Sequence, residues 1–134
     1  MIGKIGHITI LVKNQDEAVS FYTQALGFLK QNDALLGNSM RWITVSPPNQ
    51  TDLQLTLVLA DTPAKQAAVG KQAGDHVLFT METDNCQQDY RTLKSKGVKF
   101  WGKPEKRPYG TEVVFEDLYG NLCDLIERTE QNNI

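Results

Sequence analysis

The chain has 134 residues with 14 Lys plus Arg against 16 Asp plus Glu, a net charge of −2, and 40% apolar residues. That is the length of one domain of ordinary composition. No basic excess is present to neutralise phosphates, which argues against a nucleic-acid partner, and the apolar runs fall far short of the roughly 20 residues a membrane helix needs. The opening Met1-Ile2-Gly3-Lys4-Ile5 has no signal-peptide pattern, and Cys86 and Cys123 make no metal or redox motif. A cytoplasmic, disulfide-free protein is the expectation.

His7-Ile8-Thr9-Ile10-Leu11-Val12 reads as a strand. Asn14 followed by Glu17 is a reciprocal helix cap, and Ala18, Phe21, Tyr22, Ala25 and Leu26 then repeat at helical spacing until Gly27. Strand signals follow at 34–36, 40–46 and 52–59. The stretch 62–74 has no clear period beyond one helical turn at 64–69. His76-Val77-Leu78-Phe79-Thr80-Met81 repeats the opening strand 69 residues on, and Asp84 with Gln87 repeats the cap. Cys86, Tyr90 and Leu93 form a second helical stripe, closed by Gly97. Strands are expected at 98–101, 111–116 and 122–128, with turns at Pro47–Gln50 and Asp117–Asn121. Lys103–Arg107 reads as a solvated loop, or as a flap over an anionic substrate.

Each half is thus a strand, a helix and about three strands. The architecture expected is α+β: two tandem βαβββ modules, about 1–62 and 75–128, joined by a linker of about 63–74. Neither covers both faces of its sheet alone, so together they form one domain with an open, curved mixed sheet.

Strand alternation puts His7 with Thr9 and Leu11, away from the apolar side that packs under the helices. His76 repeats that placement, and these are the only two histidines. Gln54 and Thr56 lie on the polar side of Asp52–Leu57, and Asp124 stands in the place of Gln54 at an offset of 70. A polar residue in a central strand is costly unless it is paired or bound to a metal. Brought together, His7, Gln54, His76 and Asp124 suit a divalent first-row ion (Fe, Mn, Co, Ni or Zn) and leave positions open for substrate oxygens. The alternative is that Gln54 and Asp124 hydrogen-bond across a metal-free cleft. Glu127, three residues beyond Asp124, should face the other side.

His7–Val12, Phe21-Tyr22, Leu26-Gly27-Phe28, Pro108-Tyr109-Gly110, Phe115-Glu116-Asp117, Gly120-Asn121 and Asp124–Glu127 resemble the vicinal oxygen chelate superfamily of glyoxalases, extradiol dioxygenases and bleomycin resistance proteins. The resemblance implies a metal held by His7, Gln54, His76 and Asp124, with Gln54 and Asp124 also serving catalysis. It further implies homodimers and a small-molecule substrate whose adjacent oxygens chelate the ion. Relatives mostly carry Glu where this chain has Gln54 and Asp124. Leu11 and Val58 replace the arginine and asparagine of a glutathione site, and no further histidine is left as a dioxygenase acid or base.

Thr9, Trp42, Thr56, Tyr109 and Phe115 are the candidate substrate contacts. Trp42, Trp101, Tyr109 and Phe115 otherwise read as plain core, and Pro108–Gly110 as a simple turn. Two functions follow. One is a metal-dependent lyase, isomerase or dioxygenase. The other is a metal-free protein that binds a drug or metabolite, as bleomycin resistance proteins do.

Overall fold

In the computed structural model, which describes residues 1–37 and 39–129, the backbone forms two four-stranded mixed sheets. The chain divides into two units, Met1–Val69 and Gly70 onward.

In unit 1, β1 (His7–Val12) runs parallel to β4 (Gln54–Leu59), and β4 continues antiparallel to β3 (Met40–Ser46) and β3 to β2 (Leu29–Leu36). A parallel neighbour demands a crossover, and α1 (Gln15–Ser20) begins it. Asn14 caps α1 as expected, its side chain accepting from the Glu17 N–H at 2.8 Å. The helix does not stay α-helical. Phe21–Ala25 widen into a π-turn, with the Leu26 N–H reaching back to the Phe21 carbonyl. Gln15 docks α1 on the sheet through its Nε2, 2.9 Å from the Leu57 carbonyl. Ile10, Val12, Ala18, Tyr22, Ile43, Val45 and Leu57 are buried. The short α2 (Pro63–Ala68), capped by Thr62, ends the unit.

Unit 2 repeats the plan: β5 (Val77–Glu82), α3 (Cys86–Ser95), then β6 (Glu105–Arg107), β7 (Gly110–Glu116) and β8 (Leu122–Arg128), in sheet order β5-β8-β7-β6. Gly27 and Gly97, which follow the first helical segment and α3, have φ of +76° and +87°, the left-handed turn expected of them. Phe100 joins Tyr90 and Phe115 in an aromatic stack with centroids 4.8 and 5.5 Å apart. Asp117 and Asn121 close the β7–β8 turn internally: Asp117 Oδ1 accepts from the Asn121 N–H at 2.9 Å, and its Oδ2 from the Asn121 amide at 2.9 Å.

Three expectations are corrected. The cap of α3 is Asn85, which accepts from the Gln88 N–H, rather than Asp84. Residues 98–101 supply only a bridge from Phe100 to Phe115. The edge strand lies instead at Glu105–Arg107, inside the stretch read as a solvated loop. Its three charged side chains disguised it, and charges are what an exposed edge strand tolerates best. Cys86 and Cys123 are both buried and free. Among the described residues no helix is long and apolar enough to cross a membrane.

Candidate functional site

On the sheet of unit 1, His7 of β1 lies opposite Gln54 of β4, and its ring meets the edge of Trp42 with centroids 5.0 Å apart. Gln54 is fully employed. Its Oε1 accepts from the Thr44 hydroxyl at 2.7 Å and from the Asn32 amide at 3.1 Å, and its Nε2 donates to the Thr51 carbonyl at 2.9 Å. Asn32 also donates to Thr44, so three strands are clamped by one closed polar cluster. An amide oxygen with two donors has no lone pair left for a cation. Thr56, 4% exposed, keeps a buried Oγ1 with no partner among the described residues.

On the sheet of unit 2, Asp124 of β8 stands between Thr80 of β5 and Val114 of β7. Alternation along β7 places Glu112 on the same face as Val114, next to Asp124. Burial, reinforced by the Glu112 carboxyl, pushes Asp124 up to about 7. Burial also opposes ionisation of Glu112, yet hydrogen bonds from Tyr109, Asp124 and Arg107 outweigh it and hold Glu112 below its usual range. In this pair a proton is therefore favoured on Asp124 over Glu112. Tyr109 donates to Glu112 Oε1, and Arg107 approaches the same oxygen at 3.4 Å. One oxygen of Asp124, Oδ1, is buried with no donor among the described residues.

This carboxyl pair forms the polar end of a recess of about 290 Å³ whose walls include Val77, Trp101, Lys103 and Arg107. Trp101 keeps 61% of its surface exposed while its backbone N–H bonds Val114 and its indole N–H bonds Glu116 at 2.7 Å. The ring is thus fixed and open. Glu112 was missed in the sequence; its signal was an acidic residue next to the valines of β7, two places from the partner of Asp124.

The repeat read by counting from histidines slips in the second unit. His7 stands seven residues before the cap Asn14, whereas the residue seven before Asn85 is Leu78. His76 precedes β5, is exposed, and donates its N–H to Ala73 in a turn. The β5–β8 ladder breaks between Val77 and Phe79, and the bulge absorbs one of the extra residues. Thr9 pairs with Thr56 as Thr80 pairs with Asp124, so Asp124 corresponds to Thr56, not to Gln54. The two matching positions each carry an orphaned oxygen, Thr56 Oγ1 and Asp124 Oδ1.

Other expected contacts divide. Phe115 is fully buried in the aromatic stack, on the face of β7 opposite Glu112, so alternation removes it from any ligand. Thr9 is exposed, and Trp42 packs on His7. Glu127 does face the other side: its Oε1 accepts from the Cys86 N–H at 2.8 Å at the start of α3. Within neither unit, among the described residues, do three His, Cys, Asp or Glu side chains gather to hold a metal ion. As placed, the amide oxygen of Gln54 is taken by two donors and is not free for a metal, and His76 lies just before β5.

Residues 4–125 match the Glyoxalase/Bleomycin resistance protein/Dioxygenase superfamily. The chain belongs to it. Two sequence relatives within reach are an uncharacterized protein of Shewanella frigidimarina (strain NCIMB 400), 38% identical over 97% of both chains, and the uncharacterized protein YurT of Bacillus subtilis (strain 168), 38% identical over 93% of this chain and 99% of its own. Among solved structures, UcmS2 superposes with a TM-score of 0.83 at 32% identity, covering 95% of this chain and 99% of its own. TnmS3, an antibiotic binding protein from Streptomyces sp. CB03234, gives 0.79 at 26%, covering 96% and 98%. The glyoxalase-like α+β fold of paired βαβββ modules is therefore shared. Superfamily membership alone does not choose among its chemistries.

Proposed function

We propose that this superfamily member is a metal-independent binding protein for a small organic molecule, held in the recess of unit 2 between Asp124, Glu112 and Trp101. The saturated amide oxygen of Gln54 carries the reading, since a superfamily metal centre needs that position as a free donor. The structural likeness to an antibiotic binding protein supports it. The recess sits at the lower end of small-molecule sites, about 300–1,000 Å³, and pairs a fixed aromatic wall with a few polar groups.

A thermal-shift screen of drug- and metabolite-like compounds, run with and without EDTA, tests this. A ligand at one hundred times its Kd raises stability by about 2.7 kcal/mol. The shift is expected to be the same with the chelator present and smaller in Trp101→Ala. Shifts that vanish with EDTA and return with metal would refute it.

A second reading is the metal-dependent enzyme, with His7, His76 and Asp124 as ligands and Gln54 turned to join them. The unpartnered Oδ1 of Asp124 favours it. It requires one equivalent of divalent ion in the purified protein, lost in a His7→Ala, His76→Ala double variant.

A further inference from the structure

Resting on the reading of the unit 2 recess as a ligand site, the charges on its walls narrow the ligand. Lys103, Glu105, Arg107 and Glu112 all line it. Arg107 reaches both carboxylates, 3.0 Å to Glu105 Oε2 and 3.4 Å to Glu112 Oε1, and Tyr109 also donates to Glu112 Oε1. One guanidinium thus serves two carboxylates, and two charged atoms are left over. Among the described residues, Lys103 Nζ has neither hydrogen bond nor ion pair, and Glu105 Oε1 meets no donor.

Lys103 and Glu105 do not neutralise each other, and the sequence between them gives the reason. Pro104 fixes its own φ and drives Lys103 toward extended backbone, and Glu105 opens β6. In an extended chain, residues two apart point to the same side with their Cα atoms about 6.6 Å apart. An unpaired cation and the open oxygen of an anion therefore stand side by side on the recess, with a gap between them. A ligand of one sign is attracted by one of these groups and opposed by the other. A ligand carrying both signs on neighbouring atoms is attracted by both. The recess, about 290 Å³, suits only a small molecule, and Val77 and Val114 supply apolar wall beside the charges.

We propose that the recess takes a small zwitterion of the α-amino-acid type, its carboxylate on Lys103 Nζ, its ammonium on Glu105 Oε1 and an aliphatic side chain against Val77 and Val114.

Three matched probes test it: L-leucine, 4-methylpentanoate and 3-methylbutylamine share one branched chain and differ in the charges they carry. They are titrated into the full chain at low ionic strength, where exposed charges are least screened, with amide chemical shifts as readout. L-leucine is expected to bind about two- to fivefold more tightly than either singly charged probe, the worth of one exposed ion pair. Lys103→Gln should bring L-leucine down to the affinity of the amine, and Lys103→Arg should keep the margin. Glu105→Gln should bring L-leucine down to the affinity of the carboxylate. Both positions are exposed, so these variants are expected to fold. Equal affinities of the three probes in the parent chain overturn the zwitterion assignment while the recess stands as a ligand site. A margin that survives both Gln variants overturns it too. Shift changes that map away from Lys103, Glu105 and Val114 overturn both the ligand class and the recess reading. Failure of all three probes overturns the ligand class, and the recess reading is then decided by the thermal-shift screen.

Discussion

Asp124 is a half-buried carboxyl whose titration departs strongly from its ordinary range. Its carboxyl is held near 7 against an ordinary 3.8, because burial and the adjacent Glu112 both favour the protonated form in the folded chain. With the folded value raised, the stability from this group is complete below about pH 4 and fades as pH climbs through 7. Asp124→Asn supplies an N–H to Glu112 at every pH. Its melting temperature is expected to exceed the parent's at pH 8 and to converge with it below about pH 4. Because the group is only partly buried, the gain is on the order of 1 kcal/mol, about 3–5 °C. A constant offset across that range would disprove the proton on Asp124. Gln54 makes the opposite kind of contribution. Gln54→Leu removes the acceptor of the Thr44 hydroxyl, and Thr44 is fully buried. A loss of about 1–3 kcal/mol in urea denaturation is expected.

At the scale of elements, α3 is anchored at its N-terminus by two side chains of separate origin. Asn85 accepts from the Gln88 N–H at 3.0 Å, and Glu127, far along the chain on β8, accepts from the Cys86 N–H at 2.8 Å. Negative charge there also favours the helix dipole. Glu127→Ala should cost about 1–2 kcal/mol, comparable to losing a cap, and leave ligand affinity unchanged. A selective loss of binding without destabilisation would place Glu127 in the site. The bulge in β5 is the element-level event with the widest consequence. It lets a strand that starts one residue further from its cap enter the same kind of ladder, with Leu78 bulged and Val77 opposite Leu122 where the first unit has His7 opposite Gln54.

For the whole molecule, the saturated Gln54 and the displaced His76 predict indifference to metal. Dialysis against EDTA should leave the melting temperature and the ligand-induced shift unaltered, and added Zn²⁺, Ni²⁺ or Mn²⁺ should bind without fixed stoichiometry. A chelator-induced drop of several degrees, restored by one metal, would overturn this. The net charge of −2 is too small to dominate ligand choice, which leaves selection to the local groups of the recess.

The alternation of Ile10 and Val12 with polar neighbours, the Asn14 cap and the two glycine stops were local signals. Local signals are enough to define strands, helices and their order, so the tandem βαβββ plan was legible in the sequence. The closing strand 122–128 was legible too, and with it Asp124, because a charged residue in an apolar strand stands out without any neighbour being known. The edge strand Glu105–Arg107 was hidden, since charge there reports exposure rather than conformation. What the chain order could not fix was register. Counting from one histidine to the next gives 69, while the helix cap puts Leu78 and the ladder Val77, not His76, in the corresponding place. A bulge leaves no mark in composition, and a slip of this size is settled only by which backbone groups pair. The same pairing put Glu112 beside Asp124 and enclosed Gln54 between Thr44 and Asn32. Residues distant in the chain became one carboxyl pair and one closed cluster, and hydrogen bonds between strands decided which polar groups remain free to meet a ligand.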